Sequence, residues 1–183
     1  MKVVVGVTGA SGIVLADKLL DNLKGQETFL IISEAAKKVG KYEGYPSVEP
    51  LEKKASHSYR QNNLAAPISS SSFPVDAMVI VPCSMKTLSA CANGYADDLI
   101  VRAAENMLKM GKKLVVCPRE TPLSLSALKN MAELKTAGAI ILPPNLAFYP
   151  RPESVEDVIG FFVGKILDSL SIEHNLYKKW GKK

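Results

Sequence analysis

Apolar residues along the chain fall into two alternating patterns. Short unbroken runs occur at residues 2–8 (KVVVGVT), 28–33 (TFLIIS), 78–81 (MVIV), 113–116 (KLVV) and 139–142 (AIIL), and between most of them apolar positions recur three and four apart. An unbroken run of that length fits a strand covered on both faces, and the intervening period fits a helix with one buried stripe. The alternation predicts an α/β chain with a Rossmann-like, flavodoxin-like fold: three layers, a mostly parallel sheet and right-handed crossovers. Helices are expected over residues 34–41, 88–92, 99–108, 123–136 and 154–170, with a further one after the glycines at 9–12. Asn93-Gly94 ends one helix, Asp97 or Asp98 caps the next, and Ser154 with Glu156 and Asp157 opens the last. Residues 43–59, with Pro46, Pro50 and no sustained period, read as a partly irregular connection.

In open α/β sheets ligands gather beyond the carboxyl ends of the strands. The run 78–81 stops at Pro82 and opens into Cys83-Ser84-Met85-Lys86-Thr87, two hydroxyls and a cation ahead of a helix start. That composition suits an anion, and it equally suits an ordinary loop capped by Ser84. Gly9-Ala10-Ser11-Gly12 follows the first strand without GxGxxG spacing or a GK[ST] ending, so Ser11 and the helix amides either meet a flavin or nucleotide phosphate or only let strand and helix pack. Ser33 ends the second strand at the same edge. The run 113–116 ends in Cys-Pro-Arg-Glu-Thr-Pro, where Arg119 offers a bidentate phosphate clamp and Glu120 a proton carrier, or the two form a plain surface ion pair. Lys109 falls in the last turn of its helix, where a cation also complements the dipole. Tyr149 lies in a stiff aromatic loop at 147–152, and Lys165 lies in the last helix.

The 183 residues, 47% hydrophobic, suit one domain spanning 1–183. No apolar run approaches the roughly 18–20 residues of a membrane span, and no signal-type segment precedes the first strand, so a cytoplasmic protein without membrane attachment is expected. A formal charge of +5 is spread over many segments, which suits an anionic small molecule as well as nucleic acid. Cys83, Cys91 and Cys117 lie in or beside apolar segments and are expected to be reduced and mostly buried. With only His57 and His174 present, a histidine triad or multi-histidine metal site has little to be built from.

The motifs GASG (9–12), APISSSSF (66–73), VPCSMKTLSACANGYADDLIVRAAENMLK (81–109), PRETPL (118–123), AGAIILPPNLAFYPRP (137–152) and IEHNLYKKW (172–180) together resemble the UbiX-type flavin prenyltransferases, relatives of the flavin-dependent cysteine decarboxylases. The resemblance implies prenylation of reduced FMN by dimethylallyl phosphate at N5 and C6, without a metal, to give the prenylated FMN used by UbiD-type decarboxylases. It implies that Gly9, Ala10, Ser11, Ser33, Ser84, Met85, Lys86, Thr87 and Arg119 bind FMN. Lys109, Glu120, Tyr149 and Lys165 would serve the prenyl phosphate or proton transfer. Trp180, in a C-terminal segment 171–183, would close over the site or meet a neighbouring subunit. A homododecamer is implied as well, with no nucleic-acid partner. The chain departs from the family pattern in two places: Ile13-Val14-Leu15 is wholly aliphatic, and Ser71 stands where a glycine is usual, which bears on flavin affinity. Two rival readings are a cysteine decarboxylase and a non-catalytic flavin-binding subunit. The first lacks its PASANT motif here. Apolar groups at Leu88, Ala90, Cys91, Ala92, Met107, Met110, Phe148 and Trp180 are expected outside the core stripes, which favours assembly.

Overall fold

A computed structural model describes residues 1–181. Strands β1 (Lys2–Val7), β2 (Glu27–Ile32), β3 (His57–Arg60), β4 (Ala77–Cys83), β5 (Lys113–Pro118) and β6 (Ile140–Ile141) form one sheet in the order β3-β2-β1-β4-β5-β6. Every neighbouring pair is parallel. The helices are α1 (Ile13–Asn22), α2 (Glu34–Tyr42), α3 (Glu49–Lys54), α4 (Met85–Ala92), α5 (Leu99–Lys109), α6 (Leu125–Thr136) and α7 (Val155–Leu170).

Alternation along the strands divides the interior into two clusters. Val3, Val5, Val7, Val79 and Val81 point to the face covered by α1, α3 and α7, where Leu19, Leu51 and Ile166 meet them. Val4, Met78, Ile80, Leu114 and Val116 point to the other face, against Leu88, Ile100 and Leu134 of α4, α5 and α6. Each fully buried side chain of this kind contributes about 1.5–3 kcal/mol, so covering both faces is what makes the apolar runs unbroken.

The stretch 43–59 is more ordered than its composition suggests. It holds α3, a single short helix with Pro50 in its first turn and Leu51 as its buried residue, and β3, an edge strand. Of the β3 residues only Tyr59 is even half-buried, so pairing with β2 through the backbone carries no apolar signature. Pro82 and Pro118 also differ from expectation, since both lie inside their strands. The β4–β5 register shifts between Ile80 and Cys83, the local irregularity at which a residue without an amide hydrogen is accommodated. All three cysteines are free and buried, and burial pushes each thiol pKa up.

Candidate active site at the carboxyl edge of the sheet

β1 lies between β2 and β4, and the chain runs outward from it in both directions, so the switch point of the sheet is the crevice between β1 and β4. Side chains tie the loops there together. The Thr8 hydroxyl donates to the Pro82 carbonyl at 2.8 Å and accepts from the Ser84 amide at 2.7 Å. The Ser33 amide donates to Val7 O at 2.9 Å, and the Arg119 amide donates to Cys83 O at 3.1 Å. Four strand ends thus bring Gly9, Ala10, Ser11, Ser33, Ser84, Met85, Lys86, Thr87 and Arg119 to one edge.

The hydroxyls of Ser33 and Ser84 act as helix caps, accepting from the amides of Ala36 at 3.0 Å and Thr87 at 3.3 Å. Capping uses an acceptor lone pair and leaves the hydroxyl hydrogen of each serine to donate elsewhere. Ser84 and Thr87 hydroxyl oxygens lie 3.2 Å apart. Lys86 is exposed and leans toward Asp97 and Asp98, at 3.7 and 3.9 Å. Met85 is half-buried against the α5 side of the core.

The glycine loop has a partner that sequence reading passed over. Gly12 takes φ of 112°, a left-handed geometry, and α1 receives no cap from its own N-cap residue. Glu43, the C-cap residue of α2, reaches across instead. Its carboxylate accepts from the Gly12 amide at 3.0 Å and from the Ile13 amide at 3.1 Å. Burial alone would raise the Glu43 pKa, yet the Ser11 hydroxyl, those two amides and the Arg119 charge hold it below the usual carboxylate range. The amides that suited a phosphate in sequence terms are therefore occupied by a carboxylate in this chain. Gly12 and Glu43 are 31 residues apart with α1, β2 and α2 between them, which is why no local motif announced the contact.

Arg119 is half-buried, and its Nε is buried without any hydrogen-bond partner. Gly9 forms the tightest part of the loop, where a Cβ would come within 2.5 Å of the Ala35 Cβ. An orphaned guanidinium N–H, the Ser33 hydroxyl hydrogen and a glycine-lined backbone cradle together fit a planar, phosphorylated polar ligand. Glu120 is exposed, and its carboxylate accepts from the Thr121 amide at 3.0 Å.

Lys109, Tyr149, Lys165 and Trp180 stand on other elements: the end of α5, the loop after β6, α7 and the segment after it. Lys109 is the last residue of α5, just before the chain turns into the start of β5, so it sits at the amino edge of the sheet, opposite Arg119. Tyr149 lies in the loop after β6, edge-on to Phe161 at 5.7 Å and to Trp180 at 5.2 Å between ring centres. Lys165 is exposed on α7, 3.9 Å from Asp168. Among the described residues no group of three or more His, Cys, Asp or Glu side chains is placed to hold a metal ion.

The Flavoprotein family model matches residues 1–167. Flavin prenyltransferase UbiX of Thermoplasma acidophilum is 49% identical over 180 residues, covering 98% of this chain and all of that protein. A crystal structure of AnUbiX (PadA1) in complex with FMN and dimethylallyl pyrophosphate superposes with a TM-score of 0.96 at 42% identity, covering 100% of this chain and 98% of that one. A dodecameric FMN-dependent UbiX-like decarboxylase from Escherichia coli O157:H7 gives the same TM-score of 0.96 and 42% identity, with both chains fully covered. Similarity of this extent, over nearly the whole chain, shows that the chain belongs to the UbiX-type flavin prenyltransferases of the flavoprotein family.

Proposed function

We propose that this enzyme joins the dimethylallyl group of dimethylallyl phosphate to N5 and C6 of reduced FMN, releasing phosphate. The observation that carries the reading is the buried, unpartnered Nε of Arg119 beside the Gly9–Gly12 loop, in a chain 42% identical to a protein crystallised with FMN and dimethylallyl pyrophosphate. Arg119, Ser33, Ser84 and Thr87 supply donors for the FMN phosphate and ring, Gly9, Ala10 and Ser11 let the backbone approach, and Met85 and Lys86 border the ligand.

Allylic substitution breaks a carbon–oxygen bond, so positive charge develops on the prenyl carbon and negative charge on the leaving phosphate. Cations must meet the phosphate, and the rest of the site must keep water away. Lys165 supplies a cation and Tyr149 a neutral hydroxyl donor for the phosphate, and Lys109 joins them from a neighbouring subunit, since it stands on the far edge of its own sheet. Trp180 closes the opening. Glu120 and Glu43 are two carboxylates at the site edge that could take the protons lost from flavin, and Glu43 has the better-defined geometry.

The proposed assembly is a homododecamer, as in the UbiX-like protein from Escherichia coli, with each flavin at a junction between subunits. The proposed recipient of the product is a UbiD-type decarboxylase. No helix among the described residues is long and apolar enough to cross a membrane. The test is anaerobic incubation with reduced FMN and dimethylallyl phosphate, followed by mass analysis of the released flavin. A mass increased by one prenyl group is expected, and unmodified FMN after prolonged incubation would overturn the reading.

A further inference from the structure

Away from the β1–β4 crevice, Asp168 gathers donors from two parts of the chain. Its carboxylate accepts from His174 Nε2 at 3.2 Å, from the Tyr177 hydroxyl and from Lys179 Nζ at 2.7 Å, and it faces Lys165 Nζ at 3.9 Å. The first three donors belong to the segment after α7, and the fourth lies one turn back on the helix. Burial would raise the Asp168 pKa, but Lys179, Tyr177 and His174 hold it at about 2, so the group stays ionised. A carboxylate in the last turn of a helix opposes the helix dipole, so Asp168 does nothing for α7 itself.

The segment 171–181 doubles back along α7. Ser171 takes a left-handed φ of 62° and turns the chain, and the His174 side chain is only 2% exposed. The contact is close enough to require glycine: a Cβ on Gly164 would lie 2.6 Å from the Tyr177 ring and 2.7 Å from His174 Cε1. From there aromatic contacts lead back to the loop after β6. Tyr177 packs on Phe161 at 4.8 Å, Phe161 on Tyr149 at 5.7 Å, and Tyr149 on Trp180 at 5.2 Å.

We infer that Asp168 is a positioning residue that anchors the 171–181 segment in the Gly164 groove of α7, and that the anchored segment places Tyr149, Trp180 and Lys165 for the prenyl phosphate. The placement clause rests on the reading that Tyr149 and Lys165 hold that phosphate. Asp168 orients Lys165 by facing its ammonium group, and it orients Tyr149 through Tyr177 and Phe161. Neither effect requires Asp168 to touch a substrate.

Trp180 is the only tryptophan, so its polarised emission decay reports the segment directly in the full-length, FMN-loaded protein. Asp168→Ala should add a fast local depolarisation that the wild type lacks. Gly164→Ala should do the same while removing a glycine from a helix interior, which separates undocking from unfolding. Asp168→Asn, still an acceptor but uncharged, should fall between, and Glu173→Gln should match the wild type. With oxidised FMN bound, so that no transfer occurs, the Asp168→Ala dissociation constant for dimethylallyl phosphate should rise about tenfold, the scale of one charged hydrogen bond, with FMN affinity unchanged. Unaltered Trp180 depolarisation in both Asp168→Ala and Gly164→Ala would overturn the anchor. A freed segment with wild-type prenyl phosphate affinity would overturn the placement. A wild type that bound FMN but no prenyl phosphate would remove the functional reading and the placement with it, while the emission data would still decide the anchor.

Discussion

Glu43 caps a helix that begins thirty residues before it, its carboxylate accepting from the Ile13 amide at 3.1 Å. The relationship joins the carboxyl end of α2 to the amino end of α1, and it places an ionised carboxylate at the positive pole of α1 beside the crevice. A helix without a cap of its own is thereby closed by a group that also faces Arg119 electrostatically.

Stability should follow from that cap. The folded pKa of Glu43 lies below its ordinary value of 4.5, so its contribution is fully present above that value and is lost as pH falls through the folded pKa. Glu43→Ala should cost about 0.5–2 kcal/mol near neutral pH, the usual scale for a helix cap, seen as a melting temperature lower by a few degrees. Thermal melts from pH 7 down to pH 3 check this. The gap between wild type and variant should narrow below about pH 4, and a gap constant across the range would mean that the carboxylate's charge has no part in it.

Proton transfer can be apportioned between two carboxylates. Glu120→Gln should retain FMN and slow prenylation by roughly 10²–10⁴-fold if Glu120 carries the proton, the range typical of general acid–base groups. Glu43→Gln should instead disturb the glycine loop, affecting both flavin affinity and rate. Single-turnover yields measured on both variants settle the division, and wild-type yield from Glu120→Gln would transfer the role to Glu43.

Lys165→Ala should impair turnover at low dimethylallyl phosphate while sparing flavin affinity, since one charged hydrogen bond to a leaving phosphate is worth on the order of 1.5–3 kcal/mol. Steady-state kinetics with varied prenyl donor, paired with FMN titration, give the answer. Lost FMN binding with an unchanged prenyl phosphate affinity would reverse the assignment of the two subsites.

The strands and helices that bury apolar residues were legible in the sequence because burial on both faces of a parallel sheet leaves an unbroken run, as at Val79, Ile80 and Val81. Edge strand β3 was illegible for the converse reason: His57, Ser58 and Arg60 are exposed, and the strand is placed by backbone pairing with β2 and by the stacking of His57 on Phe29. The nine residues read as flavin contacts share one sheet edge because strand-end loops must. Glu43 escaped notice because the fold, rather than the sequence, brings it to Gly12, and Asp168 because the segment after α7 reaches it only by turning back at Ser171. Lys109 shows the limit in the other direction, since a motif can name a residue without telling which copy of the chain it serves.

Assembly is the last expectation, and the structure changes the residues that support it. Leu88, Ala90, Cys91 and Met107 are buried within the chain and cannot mark an interface, whereas Met110, Phe148 and Trp180 are 52, 73 and 80% exposed. To these the fold adds Leu123, Leu125 and Leu128 at the start of α6 and Leu146 in the loop after β6, all exposed. β6 packs beside α6, so Leu123, Leu125, Leu128 and Leu146 come from neighbouring elements. Isolated monomers seldom leave large apolar patches bare. Light scattering should therefore give a mass several times the 19.8 kDa of one chain. Leu125→Asp combined with Leu128→Asp, placing charge on these exposed apolar positions, should lower that mass and reduce turnover together if the proposed site takes Lys109 from a neighbouring subunit. A particle of single-chain mass with full prenyltransferase activity would refute both the assembly and the shared site.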